Sequence, residues 1–169
     1  MNIRQESMLE YKTIYNLIKE AFETAEHADG NEQDLVTALR NGHSYIPQLS
    51  LVAEINGELV GHIMFTEAKV GSETVLVLAP LSIKPQYQGQ GIGSALIKEG
   101  HKIAKDLGYQ YSMVLGSTLY YQRFGYIPAE ALGVKVPHGI PAENFMGIKL
   151  IEKAKPISGK LTYAAEFEM

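Results

Sequence analysis

Lys84-Pro85-Gln86-Tyr87-Gln88-Gly89-Gln90-Gly91-Ile92-Gly93 joins two strongly patterned segments. Upstream, Val75-Leu76-Val77-Leu78-Ala79-Pro80-Leu81-Ser82-Ile83 is apolar almost throughout, the pattern of a central strand running over Thr74 to Ile83. Downstream, Ile92, Leu96, Ile103 and Leu107 mark the apolar stripe of a helix that Gly108 caps. Tyr111 to Leu115 is then a strand. It closes a strand-helix-strand unit and is expected to lie parallel to Thr74–Ile83. Pro80 cannot donate a ladder hydrogen bond, so a bulge or splay is expected in the first strand.

Before this unit the pattern is a meander. Leu51 to Ile55 and Leu59 to Phe65 are strands joined by Asn56-Gly57, the strongest short hairpin signal, and a turn near Gly71-Ser72 leads to the third strand. Strict alternation puts Leu59, Gly61, Ile63 and Phe65 on one face, with Val60, His62 and Met64 on the other. Ahead of the meander, residues 2 to 6 suit a short strand and Ser7-Met8-Leu9-Glu10 a capping box. Leu9, Ile14, Leu17, Ile18, Ala21 and Phe22 then predict a buried helical stripe ending near Thr24. A second helix, Asn31 to Arg40, would bury Leu35, Val36 and Leu39. After Tyr111–Leu115 come a short helix at Thr118–Phe124 and weaker strands at Gly133–Val136, Phe145–Ile151 and Lys160–Glu168. The expected fold is α/β (α+β), a mixed sheet with helices on both faces in a single domain over residues 1–169.

Composition narrows the chemistry. The 169 residues carry a net charge of -4 without a run of like charge, which argues against general affinity for a nucleic-acid backbone. Absence of cysteine removes disulfides, thiolate metal sites and cysteine nucleophiles. Five histidines are scattered without metal-ligand spacing, so no metal is expected, and they read as surface or half-buried side chains. Neither a signal peptide nor a membrane span is legible, and a cytoplasmic protein is expected.

The glycines of Gln88-Gly89-Gln90-Gly91-Ile92-Gly93 expose successive backbone amides and let an anion approach, and the following helix adds its unpaired N-terminal amides. A phosphate or pyrophosphate fits such a turn, and a plain strand-to-helix turn is the alternative. The Walker pattern fails, because Ser94 follows Gly93 and no lysine occurs before Lys98. A dinucleotide fingerprint would have Ser94 in place of its last glycine and would not normally follow an antiparallel meander.

Gln88-x-x-Gly91-x-Gly93 after Ile83-Lys84-Pro85 resembles the Q/R-x-x-G-x-G/A motif of the GNAT superfamily of N-acetyltransferases. Tyr120-Tyr121-Gln122-Arg123-Phe124-Gly125-Tyr126 resembles that superfamily's second signature. Val114-Leu115-Gly116 with Tyr120–Gly125 is similar to the YhbS-like acetyltransferases. The resemblance covers residues 50 to 127 well. It implies an acyl-CoA N-acyltransferase fold, with the bulged central strand splayed from its parallel neighbour, and acetyl-CoA as co-substrate. It assigns the coenzyme pyrophosphate to Gln88, Gly89, Gln90, Gly91, Ile92, Gly93 and Ser94. Leu81, Ser82 and Ile83 would pair with the pantetheine arm, and an amide near the bulge would polarise the acetyl carbonyl. Tyr121 would be the general acid for the departing thiolate, with Tyr120 a packing aromatic. Gln88 stands where many relatives have arginine, and the acidic residue some carry mid-strand is missing from Val75–Ile83.

Direct attack by a neutral amine on the thioester needs a base. Glu54, His62 and Glu67 are candidates on the meander, with none preferred. The acceptor would be a small-molecule or protein primary amine, walled by residues 24–50 and 128–158, which include Glu26, His27, Asp29, His43, His138 and Glu143. Two other readings stand beside the enzyme: an acyl-CoA-binding sensor module without turnover, and a nucleotide-binding domain. A homo-oligomer is left open.

Overall fold

Asn56 and Gly57 take φ values of 50° and 82°, both in the left-handed region that a two-residue type I′ hairpin requires. That turn sets the register of β2 (Tyr45–Ile55) against β3 (Glu58–Val70), beginning with Ile55 opposite Glu58. The computed structural model describes residues 1–25 and 28–168. β1 (Asn2–Gln5) pairs with β2 on one side, and β4 (Glu73–Ile83) pairs antiparallel with β3 on the other. β5 (Tyr111–Leu115) then lies parallel to β4, as the strand-helix-strand reading requires. β8 (Phe145–Lys149) and β6 (Ile127–Pro128) complete the order β1-β2-β3-β4-β5-β8-β6, while β9 (Gly159–Thr162) pairs with β3 and with the short β7 (Val134–Lys135).

Helices cover both faces. α1 (Tyr11–Phe22) and α2 (Glu32–Arg40) bury Ile14, Leu17, Ile18, Val36 and Leu39 against Val52, Leu59 and Met64 of the sheet. α3 (Ile92–Asp106) packs Ile92, Leu96, Ile97 and Ala104 on the opposite face, against Val60, Ile63 and Phe65. Each large side chain so buried contributes about 1.5–3 kcal/mol. The last helix, α4 (Thr118–Tyr121), continues as a 3-10 turn over Gln122–Phe124.

Several expectations are corrected. Val60 has no partner between the pairs Ala53–Gly61 and Glu54–Leu59. This bulge breaks strict alternation, so Leu59 joins Met64 on the α1 face and Val60 joins Ile63 and Phe65 on the α3 face. Leu9 is 96% exposed, because Met8–Glu10 forms a separate 3-10 turn outside the periodicity of α1. The capping box itself is present: the Leu9 amide donates to Ser7 Oγ, and the Ser7 amide donates to Glu10. Leu107 is 43% exposed, and Gly93 and Gly100 lie on the buried side of α3 instead. A Cβ on Gly100 would come within 2.3 Å of the Phe65 ring, so the missing side chain brings the helix close to the sheet. His62 is fully buried rather than surface or half-buried.

Candidate active site

The bulge expected from Pro80 lies between the pairs Ile63–Leu81 and Phe65–Leu78, where Ala79 and Pro80 together oppose Met64. On the other edge, β4 pairs with β5 only at Leu76–Ser112 and Val77–Met113. Beyond Val77 the two strands part. A cleft of about 1480 Å³ opens there, reaching from the N-terminus of α3 to the C-terminal end of α1.

At one end of the cleft, Gly89 and Gly91 have φ values of 77° and 83°, and a Cβ at either would meet nothing within 4 Å. Glycine is needed here for the backbone conformation rather than for space. The first helical hydrogen bond of α3 runs from the Ala95 amide to the Gly91 carbonyl. The amides of Ile92, Gly93 and Ser94 therefore lack an intrahelical acceptor. This cradle of amides at the positive end of a helix dipole suits a pyrophosphate. The Gln88 side chain donates to the Ile83 carbonyl at 3.2 Å, so it braces the turn. Glu58 ties the same turn to β3 by accepting from Lys84 Nζ and the Tyr87 hydroxyl, each at 2.9 Å.

Leu81, Ser82 and Ile83 line the middle of the cleft. Leu81 and Ile83 pack toward α3, and Ser82 lies opposite His62 on the α1 face. Tyr121 lines the β5 side, its ring edge-on to Tyr120 and Tyr126 at centroid distances of 5.0 and 5.7 Å. Burial, with a smaller contribution from Tyr120, raises the Tyr121 hydroxyl above the usual phenol range, so it holds its proton at neutral pH. Tyr126 is itself held by hydrogen bonds with Ser112 and His101 at 2.8 and 2.9 Å.

The structure thus brings Leu81, Ser82, Ile83, Gln88, Gly89, Gly91, Ile92, Gly93, Ser94 and Tyr121 to one cleft, whereas Gln90 is not among its lining residues. The three base candidates do not line it. Glu54 pairs with Arg4 at 3.1 Å, Glu67 accepts from the Tyr109 hydroxyl at 2.5 Å, and His62 lies beneath the sheet surface. Asp29, His43, His138 and Glu143 are also absent from the lining, and Glu26 and His27 lie outside the described residues. Among the described residues, no group of three or more His, Asp and Glu side chains is arranged to hold a metal ion. No described helix is long and apolar enough to cross a membrane.

Residues 11–126 match the model of the acetyltransferase (GNAT) family. The chain belongs to that family. It is 40% identical to the uncharacterized N-acetyltransferase YjhQ of Escherichia coli K12 over 127 residues, covering 72% of this chain and 70% of that protein. The uncharacterized N-acetyltransferase YhbS of the same organism is 31% identical over 129 residues, 75% of this chain and 73% of the relative. The crystal structure of Escherichia coli YhbS in complex with CoA superposes with a TM-score of 0.88 at 27% identity, covering 99% of this chain and 92% of that one. A GNAT family acetyltransferase from Brucella melitensis in complex with acetyl-CoA gives a TM-score of 0.81 at 30% identity, covering 98% and 97%.

Other residues of this GNAT cleft were not singled out in the sequence. Phe22 and Ala25 of the α1 end, Arg123 and Asn144 all line it. Asn144 anchors the β5–α4 loop through paired contacts: its side chain donates to the Gly116 carbonyl, and the Gly116 amide donates to the Asn144 carbonyl, each at 3.0 Å. Arg123 was legible only as part of the second signature, and Asn144 gave no signal at all.

Proposed function

We propose that this chain is an acetyl-CoA-dependent N-acetyltransferase, acting as one domain over residues 1–169, in which a primary amine attacks the thioester directly and Tyr121 serves as general acid to the CoA thiolate. One observation carries the proposal: the amide cradle at Gly89–Ser94, the free edge of β4 at Leu81–Ile83 and Tyr121 share a single cleft between strands that have parted. The complexes of two similar proteins with acetyl-CoA and with CoA support acetyl-CoA as the co-substrate.

Each part has a physical task. The amides of Ile92, Gly93 and Ser94 neutralise phosphate charge. The β4 edge beyond Val77 offers backbone groups to an extended polar arm as an added strand would. Tyr121, kept protonated by burial, donates to the sulfur as the C–S bond breaks. The acceptor is a small-molecule or protein amine entering beside Phe22 and Ala25, and we place the reaction in the cytoplasm.

The test is steady-state CoA release with a panel of primary amines (a polyamine, an amino sugar, a lysine peptide and a peptide with a free N-terminus). Tyr121→Phe should lower kcat by about 100-fold or more, with KM for acetyl-CoA changed only a few-fold. A variant with wild-type kcat overturns the role of Tyr121. No transfer to any amine by a wild-type protein that binds acetyl-CoA favours the sensor module.

A further inference from the structure

Past the point where it leaves β4, β5 continues with β8 alone as its hydrogen-bonded neighbour. The last ladder pair is Leu115–Phe145, and the next pair outward would join Gly116 to Asn144. Half of that pair is regular: the Gly116 amide donates to the Asn144 carbonyl at 3.0 Å. An antiparallel hydrogen-bonded pair also needs the reciprocal bond, from the Asn144 amide to the Gly116 carbonyl. That amide is diverted, because it donates at 3.0 Å to the Pro141 carbonyl in the 3-10 turn Ala142–Asn144. The Asn144 side chain replaces it, Nδ2 donating to the Gly116 carbonyl at 3.0 Å. One residue thus holds both polar groups of the Gly116 backbone.

The Tyr121 ring rests on this glycine. A Cβ at Gly116 would stand 2.7 Å from Tyr121 Cε2 and 3.2 Å from Cδ2, so the ring occupies the space of the missing side chain. Ser117, the next residue, caps α4. Its carbonyl accepts from the Tyr121 amide at 3.0 Å, and its Oγ accepts from the Tyr120 amide at 3.2 Å. Rotating the Gly116–Ser117 peptide therefore moves both the backbone of Tyr121 and the seat of its ring. A second tie, from Thr118 Oγ1 to the Glu143 carbonyl at 2.8 Å, joins the same two segments. Pro141 and Asn144 line the cleft, so this linkage reaches from the cleft wall to Tyr121.

We propose that Asn144 is the positioning residue for Tyr121, acting through the Gly116 peptide and taking no part in proton transfer itself. The inference rests on the acetyltransferase reading, with Tyr121 as its acid. A proton donor must stay within hydrogen-bond reach of the sulfur, and a misplacement of about 1 Å can cost about 100-fold in rate. Because the strands have parted, β4 does not support this end of β5, and the side-chain bond from the β8 side supplies the constraint. Asparagine suits the position because its amide nitrogen donates where the diverted backbone amide would have done. An aspartate of the same shape, once ionised, can only accept.

The test is a double-variant cycle in the same amine panel, with Asn144→Ala and Asn144→Asp each made alone and combined with Tyr121→Phe. Asn144 is half-buried, so neither substitution empties the core. Alone, each should lower kcat by about 10-fold, with KM for acetyl-CoA changed less than about 2-fold and the thermal shift with acetyl-CoA retained. In the Tyr121→Phe background the same substitutions should cost less than about 2-fold, since the hydroxyl they position is absent. Asn144→Asp should do as much harm as Asn144→Ala, which a space-filling role would not produce. Asn144 variants with wild-type kcat, or losses that multiply with that of Tyr121→Phe, overturn the positioning role and leave the acetyltransferase reading standing. A Tyr121→Phe variant with wild-type kcat removes the acid and the positioning role together. A wild type that binds acetyl-CoA and transfers to no amine overturns the enzyme reading, and the inference falls with it.

Discussion

The Tyr120 hydroxyl oxygen lies 2.3 Å from the point where a Cβ on Gly93 would begin. This contact joins the two signature segments, one at the start of α3 and one on α4, both of which line the cleft. Gly93→Ala should destabilise the fold by about 1–3 kcal/mol by overpacking. In a Tyr120→Phe background the next atoms stand 3.6 Å away, so the same alanine should be tolerated. Urea unfolding of the two single variants and the double variant measures the coupling.

Tyr121 is positioned by an absence of side chain. A Cβ on Gly116 would lie 2.7 Å from Tyr121 Cε2. Gly116→Ala should turn the ring and lower kcat by about 10-fold or more, since proton transfer depends on hydrogen-bond reach. The thermal shift produced by acetyl-CoA should survive, and kinetics beside a melting curve check both halves.

Gly91 caps α3 with φ 83°, in open space. Gly91→Ala should cost about 1–2 kcal/mol through strain alone and weaken acetyl-CoA binding by distorting the amide cradle. Gly91→Asn, which tolerates the left-handed region better, should lose less of both. Calorimetric titration with acetyl-CoA gives the comparison.

Much of this cleft was legible in the sequence, for physical reasons. The Pro80 bulge, the parallel strand at Tyr111–Leu115 and the left-handed glycines each follow from a missing donor, a handedness rule or a missing Cβ. The face of Leu59 was not legible, because a one-residue bulge at Val60 leaves no mark in the alternation. The seat of α3 was misread for a related reason: close approach there is made by Gly93 and Gly100, which a search for large apolar residues passes over. Glu6 drew no notice beside a capping box, and only the three-dimensional pairing brings it to His62, fifty-six positions away.

Stability should fall on mild acidification. Burial lowers His101 from 6.5 to about 4 in the fold. Between those values the unfolded chain takes up a proton that the folded one refuses, so stability is lost as pH drops from about 6.5 toward 4. At about 1.4 kcal/mol per unit the loss is a few kcal/mol at most. Below the ordinary carboxylate range Glu6 adds to it, since its folded value is depressed and its contribution disappears as the unfolded carboxylate protonates. His101→Gln, which can keep a contact to Tyr126, should flatten the slope above pH 4.5 in unfolding curves recorded across pH.

Thermal unfolding with acetyl-CoA, CoA, ATP and NADH, each added alone, tests most directly whether the cleft between β4 and β5 is a coenzyme A site. A ligand at a hundredfold excess over its Kd stabilises the folded state by about 2.7 kcal/mol. A clear upward shift is expected with acetyl-CoA and CoA, and none with ATP or NADH. A shift with NADH, or no shift with acetyl-CoA, would contradict it.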